Sequence, residues 1–104
     1  MRYKVVFTPE AEEQIAELYR YIALSASPER ATRFISAILD YCDSLEKFPL
    51  RGNRRDDIRP GLRITSYRRR VVIAFDVTAN FVNIIGIFYA GQDYETVLEE
   101  ADPN

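Results

Sequence analysis

Residues 70–89 read RVVIAFDVTANFVNIIGIFY, and this stretch decides the fold class. Its two ends, residues 70–77 and 81–89, are rich in β-branched and aromatic residues, which favour strands. Thr78, Ala79 and Asn80 separate them by the length of a hairpin turn. The stretch therefore predicts an antiparallel hairpin, and the continuous apolar character of residues 81–89 indicates a central strand covered on one face by helices.

Upstream of this hairpin, residues 62–67 have the same strand-favouring composition and predict a third strand. Residues 2–7 alternate between apolar and polar side chains, which predicts a strand at the beginning of the chain. Residues 50–61 are polar and contain two glycines and a proline, so we expect an irregular connection there.

Two helices are predicted between the first strand and this connection. Thr8-Pro9 and Ser27-Pro28 are each a capping residue followed by a proline, and each precedes apolar residues at helical spacing. The first helix should end near Leu24. The second should continue through Phe48 and stop at Pro49, with Cys42 as a packing residue on its apolar stripe. A short C-terminal helix should begin after a capping Asp93 and pack through Tyr94, Val97 and Leu98.

The predicted order β-α-α-β-β-β indicates an α+β fold, in which a helical pair packs on a mainly antiparallel sheet of four strands. At 104 residues, the chain is expected to form a single domain over residues 1–104.

Composition excludes several classes of site. The chain has no histidine and one cysteine, so serine–histidine–aspartate, cysteine–histidine and histidine-ligated zinc sites are ruled out. Four glycines, without a GxGxxG or GxxxxGK[ST] motif, leave nothing for a glycine-rich phosphate loop. We therefore expect no cofactor and no metal. Because no stretch approaches the roughly 20 apolar residues of a membrane span and no signal peptide is recognisable, a cytoplasmic location without a membrane partner is expected.

The charge distribution is uneven. Residues 47–70 hold nine of the fourteen basic side chains and two acidic ones, whereas the other segments hold five basic and fourteen acidic side chains. Eight of the nine are arginine, which suits bidentate contact with phosphate or carboxylate. This patch is either a solvated face or a surface for nucleic acid or an acidic protein, and the sequence pI near 5.2 argues against nucleic acid as a permanent partner. The candidate binding residues are Arg51, Arg54, Arg55, Arg59, Arg63, Arg68, Arg69 and Arg70.

Several short motifs, in this order, resemble the RelE/ParE toxin superfamily. They are FTPEA at residues 7–11, LEKFP at 45–49 followed by Arg51-Gly52, RPGLR at 59–63 and FYAGQDYE at 88–95. The resemblance spans about residues 3–98. It implies the toxin of a type II toxin–antitoxin system, associated with plasmid stabilisation, which a cognate antitoxin silences in a hetero-oligomer; the arginines would then bind antitoxin or target.

The superfamily has two branches with different mechanisms. The RelE-like branch cleaves mRNA on the ribosome with basic side chains and a late tyrosine. Here the candidates are Arg63, Arg68 or one of its neighbours Arg69 and Arg70, and either Tyr89 or Tyr94. Val72, however, stands where that branch has an arginine, and Ala90, Gly91 and Gln92 stand where it has a basic residue.

The sequence therefore resembles the ParE-like branch, which inhibits DNA gyrase and is not known as a nuclease. The alternatives are a ribosome-dependent mRNA endonuclease and an interaction domain that has lost toxicity. Tyrosines in such positions are more often packing residues than catalytic acids, and Arg63 could equally form a structural salt bridge with an acidic residue such as Asp76.

Overall fold

The computed structural model describes residues 3–89 and 91–101, apart from the side chains of Glu100 and Ala101. The described elements follow in the order β1 (Lys4–Phe7), α1 (Pro9–Ser25), α2 (Pro28–Ser44), β2 (Asn53–Arg54), β3 (Arg63–Tyr67), β4 (Val71–Val77), β5 (Phe81–Tyr89) and α3 (Tyr94–Ala101). The predicted α+β class is confirmed. Arg2, which the sequence placed in the first strand, and Ala90 lie outside the described residues.

The strands form one sheet in the order β1-β5-β4-β3-β2. The β1–β5 pair is parallel and the other three pairs are antiparallel. The sheet therefore has five strands, and the prediction of four was wrong. The additional strand β2 has only two residues and lies inside the predicted irregular connection, where it pairs with Arg63 and Ile64 of β3. Two residues are too few to show strand periodicity, so only the distant pairing reveals this strand.

Both long helices begin at the residues that the sequence indicated. The Thr8 hydroxyl accepts a hydrogen bond from the Ala11 amide and the Ser27 hydroxyl accepts one from the Arg30 amide, each at 3.1 Å. These contacts satisfy amides that have no partner within the first turn of a helix. Thr8 also donates through its hydroxyl to the Ile85 carbonyl, at 3.2 Å, and so ties the start of α1 to β5.

The end of the second helix corrects the sequence prediction. α2 ends at Ser44, and the next residues form tighter turns, in which the amides of Glu46 and Lys47 donate to carbonyls three residues earlier. A three-residue turn advances each side chain by more than an α-helical turn does, which takes Phe48 off the apolar stripe. Phe48 is accordingly 55% exposed, whereas Leu45 is fully buried.

The main core lies between the helical pair and one face of the sheet. Cys42 is buried there among side chains from α2, β4 and β5, and burial raises the pKa of its thiol to about 12. The prediction that Cys42 is a packing residue is confirmed. The fully buried members of this core include Ile38, Leu45, Val71, Ile73, Phe75, Val82 and Ile84.

A smaller cluster covers the opposite face of the sheet. Ile58 and Leu62 from the connection and Leu98 from α3 pack there against Ala74 and Phe88. The strand β5 lies between β1 and β4, as a central strand should, and it is covered from both faces rather than from one. None of the described helices combines the length and the apolar composition that crossing a bilayer requires.

Candidate functional site

Four of the eight candidate arginines already have partners within the described fold. Arg63 donates from Nε to the Arg51 carbonyl at 3.2 Å and also to the Leu50 carbonyl. Asp76 instead accepts from the Asn83 amide at 2.8 Å, so the suggested Arg63–Asp76 salt bridge does not form. Arg63 therefore fixes the main chain that leads into β2.

Arg55 ties the connection to the C-terminal helix. Its guanidinium lies 2.9 Å from the Asp57 carboxylate, pairs with Glu95 and donates to the Tyr94 hydroxyl at 3.2 Å. The hydrogen bond from Arg55 holds the pKa of Asp57 below its ordinary value. Because the Arg55 guanidinium already binds three side chains from two segments, it stabilises the fold and is not free to bind a ligand.

Arg51 and Arg54 also have partners. The Arg51 guanidinium lies 5.2 Å from the centre of the Tyr41 ring and 5.1 Å from that of Phe48, and it donates to the Ser44 hydroxyl at 3.2 Å. Arg54 pairs with Asp56 at 3.0 Å on the surface, where such a pair contributes little to stability.

The remaining four arginines are available to a partner. Within the described residues, the guanidinium groups of Arg59, Arg69 and Arg70 have no side-chain partner. That of Arg68 lies over the Tyr67 ring, 5.4 Å from its centre. Arg68, Arg69 and Arg70 form the turn between β3 and β4, which we term the arginine tip.

The backbone of the arginine tip is unusual. Arg68 and Arg69 have φ angles of 52° and 61°, in the left-handed region, and they are the only residues other than glycine with positive φ in the described chain. The Arg70 amide donates to the Tyr67 carbonyl at 3.2 Å, which closes a type I′ turn. Such turns favour Asn-Gly, and bulky residues are rare there.

A cleft of about 310 Å³ adjoins the tip, and we term it the arginine cleft. Arg30 and Arg33 line it from α2, together with Arg68. Sequence analysis missed Arg30 and Arg33 because they lie outside the run at residues 47–70. The available signal was their spacing, since Arg30 and Arg33 are three positions apart in α2, a separation that places two side chains on the same face of a helix. The lining residues are Arg30, Arg33, Phe34, Ala37, Tyr67 and Arg68.

A second surface follows the edge of β5. β1 ends at Phe7, opposite Ile84, whereas β5 continues to Tyr89, so its last residues have no strand on that side. Two glutamine side chains replace the missing strand: Gln14 accepts from the Ile87 amide and Gln92 accepts from the Tyr89 amide, each at 2.7 Å. A strand edge that is capped only by side chains can exchange them for another chain.

A cavity of about 320 Å³ opens along this edge, and we term it the edge groove. Its lining residues are Gln14, Glu17, Leu18, Tyr21, Ile87, Tyr89 and Gln92. This surface could not be predicted from the sequence, because it arises from the different lengths of β1 and β5. The groove and the arginine cleft are neighbours, since Phe34 of the cleft stacks edge-on against Tyr89 of the groove with the ring centres 5.9 Å apart.

The four residues that a nuclease would use do not all converge on one site. Tyr89 packs in the core under the helices, whereas Tyr94 packs against Phe88 on the opposite face of the sheet. Arg63 and Arg68 lie at opposite ends of β3. In the described part of the chain, no cluster of three or more cysteine, aspartate and glutamate side chains could hold a metal ion.

The comparisons with known proteins agree with this architecture. Residues 5–94 match the family model described as the ParE toxin of the type II toxin–antitoxin system, parDE. The chain belongs to the ParE toxin family. The matched residues of this ParE-family chain include β1 from its second residue, the other four strands, the arginine cleft and the edge groove. No curated protein matches the sequence significantly.

Two solved structures show the same fold. One is a chain of the chromosomal ParDE toxin–antitoxin system from P. aeruginosa, with a TM-score of 0.75 and 20% identity over 85% of this chain and 96% of the other. The second is a chain of the toxin–antitoxin complex RelBE2 from Mycobacterium tuberculosis, with a TM-score of 0.63 and 18% identity over 86% of this chain and 99% of the other. At these identities, the likeness shows the ParE/RelE-type fold.

Proposed function

We propose that this ParE-family toxin inhibits DNA gyrase in the cytoplasm without cleaving nucleic acid, and that a cognate antitoxin neutralises it. The observation that carries the proposal is that Arg63 and Arg68, the two candidate nuclease arginines, lie at opposite ends of β3. Cleaving RNA without metal or histidine needs a base, a cation and an acid around one phosphate. Arg63 and Tyr67 are the two ends of β3, roughly 13 Å apart at about 3.3 Å per residue, and Arg68 follows Tyr67. Tyr89 and Tyr94 lie on opposite faces of the sheet.

The remaining bonds of these residues favour the same conclusion. Arg63 uses its guanidinium on main-chain carbonyls, and the Tyr94 hydroxyl accepts from Arg55. A residue engaged in this way would have to break its contacts before it could move a proton. The membership in the ParE family supports an action on gyrase, since the ParE-like branch resembles this chain in lacking the basic residues of the nuclease branch.

Two assays on one preparation test the target. The purified toxin should reduce the supercoiling of relaxed plasmid by gyrase and should leave mRNA intact on translating ribosomes. Cleavage at ribosomal A-site codons with normal supercoiling would replace this proposal by the endonuclease. If expression of the chain does not slow growth at all, the chain is an interaction domain without toxicity.

The edge groove is the surface that we assign to the antitoxin. An extended antitoxin segment beside β5 would take the places of the Gln14 and Gln92 side chains on the amides of Ile87 and Tyr89 and prolong the sheet beyond β1. Its apolar side chains would meet Leu18 and the ring of Tyr21. The antitoxin complexes formed by the two structural neighbours support a partner of this kind.

Two substitutions on α1 test this assignment. Tyr21 is 60% exposed and lines the groove, whereas Leu24 is 89% exposed and does not. Tyr21→Glu should weaken antitoxin binding at least tenfold, because it places a charge at an interface that loses its water. Leu24→Glu adds the same charge three residues later and should leave the affinity nearly unchanged. Equal effects of the two substitutions in a calorimetric titration would contradict the assignment.

A further inference from the structure

We propose that the arginine cleft binds the phosphodiester backbone of DNA, so that this toxin contacts DNA directly. The inference goes beyond gyrase inhibition, because a phosphate site of this kind acts whether or not a protein target is present. The ligand is a polyanionic strand, and the residues that would hold it are Arg30, Arg33 and Arg68, with Arg69 and Arg70 beside them.

Unpaired cations converge on the cleft. Among the described residues, Arg30 and Arg33 form no ion pair, and the contact of Arg68 is with the face of Tyr67. The cleft also lies at the beginning of α2, because Arg30 is the third residue of that helix. The dipole of a helix start adds positive potential, and this strengthens the attraction for an anion.

Three features of the site oppose stability. The arginine tip places three like charges next to one another, and two of these residues adopt positive φ, where an arginine is strained. Arg30 puts a cation in the first turn of α2, where the helix dipole favours acidic residues. A bound anion offsets the repulsion at both places, and strained, self-repelling cations that line one cleft are typical of a binding site rather than of a solvated face.

The number and arrangement of the charges favour a nucleic acid over an acidic protein segment. DNA carries one negative charge per about 1.7 Å of its axis, so successive phosphates can occupy the cleft and the tip together. Carboxylates in a protein segment are spaced by its sequence and would neutralise such a cluster only in part. The aromatic rings of Phe34 and Tyr67 line the same cleft, and aromatic side chains beside a cationic groove also favour nucleic acids.

The acidic remainder of the chain restricts this binding and does not exclude it. Glu10, Glu12, Glu13 and Glu17 all lie on α1, apart from the cleft residues, and will repel phosphates from that side of the molecule. DNA is therefore held in one orientation and with modest affinity. The sequence pI near 5.2 describes the whole chain and misses a local excess of five arginines.

Fluorescence anisotropy with a labelled 20-base-pair duplex, at several salt concentrations and without gyrase or antitoxin, tests the proposal. The wild-type chain should bind, with an affinity that falls as salt rises. Arg68→Asn suits the left-handed backbone and should lower the slope of log K against log salt by about 0.9, and the affinity by about eightfold at 0.1 M salt. Arg30→Gln combined with Arg33→Gln and Arg68→Asn should reduce the affinity by two orders of magnitude or more, by the same relation.

A triple variant with the same change in net charge is the control. Lys4→Gln, Arg20→Gln and Lys47→Gln remove three exposed positive charges that do not line the cleft, and this protein should retain wild-type affinity to within a fewfold. Circular dichroism should show both variants folded. Absence of binding by the wild type, or equal losses in the two triple variants, would overturn the proposal.

Two further outcomes separate this proposal from its neighbours. If the cleft variant binds DNA normally but has lost the antitoxin, the cleft belongs to the antitoxin interface and the DNA site is wrong. If the wild type inhibits gyrase but has no affinity for DNA, the DNA site fails while the proposed function stands. If the wild type binds DNA but leaves gyrase activity normal, the proposed function fails while the DNA site stands.

Discussion

Replacing two arginines of the tip by Arg68→Asn and Arg69→Gly should make the protein more stable. Both residues have φ angles near 60° and are the two central residues of a type I′ turn. The hydrogen bond from the Arg70 amide to the Tyr67 carbonyl closes this turn, whose preferred sequence is Asn-Gly. The double variant gives this turn its favoured residues without touching the core. It also removes two of three adjacent positive charges, which should act in the same direction.

The expected gain follows from three terms. A left-handed backbone costs roughly 1–2 kcal/mol for each ordinary residue, so relief at both positions is about 2–4 kcal/mol. The greater freedom of glycine in the unfolded chain subtracts about 0.5–1 kcal/mol, and loss of the exposed Arg68 contact with Tyr67 subtracts about 0.5–1 kcal/mol. The net gain is about 1–2 kcal/mol, and in a domain of this size each kcal/mol raises Tm by roughly 4–8 °C.

Thermal unfolding followed by circular dichroism measures this gain, and Arg70→Asn is the matched control. Arg70 belongs to the same tip and carries the same charge, but its φ is not positive. It should therefore give little or no rise in Tm. The reasoning about backbone strain is refuted if the double variant is no more stable than the wild type, or if Arg70→Asn stabilises equally.

Three other measurements follow from the described contacts. Because burial raises the pKa of the Cys42 thiol to about 12, iodoacetamide at pH 8.5 should label Cys42 only in urea, and labelling of the folded protein would contradict its burial. The hydrogen bond from the Thr96 side chain lowers the pKa of Asp93, so its stabilisation of α3 is present above the ordinary value of 3.8 and is lost as pH falls through the lowered pKa. The protection of the α3 amides from hydrogen exchange, relative to an unfolded chain at the same pH, should fall over that range, and protection that persists to pH 2 would show that the cap does not matter. Gly86→Ala would place a Cβ 2.5 Å from the Phe88 ring and should cost about 1–3 kcal/mol in urea unfolding, whereas an unchanged midpoint would mean that the ring moves aside freely.

The sequence was most informative where structure depends on near neighbours. Thr8-Pro9 and Ser27-Pro28 start helices through contacts within three residues, and the strand 81–89 was predicted with its observed bounds. β2 and the end of α2 depend on other information. β2 exists because it pairs with β3, which begins nine residues further along the chain. α2 ends where the turns become tighter, and the apolar spacing of the sequence does not show this change.

The binding surface was harder to predict because a run of arginines does not reveal their partners. Arg55 pairs with Glu95, forty positions away, and Arg63 bonds to main-chain carbonyls that any sequence would present. These distant contacts separate the structural arginines from those of the tip. Arg30 and Arg33 could not be predicted for a similar reason, since only the packing of α2 beside the β3–β4 turn brings them to Arg68.

The two proposed surfaces meet, and this gives a physical route from antitoxin binding to loss of DNA contact. Phe34 lines the arginine cleft and packs edge-on against Tyr89, which lines the edge groove together with Tyr21. A segment that lies along β5 as far as Tyr89 therefore ends one side chain from the cleft. An antitoxin in the groove needs no large conformational change in the toxin to obstruct the cleft, because the obstruction follows from its length alone. Truncations that remove the part of the antitoxin extending past the toxin's Tyr89 should then preserve binding while restoring access of DNA to the arginines.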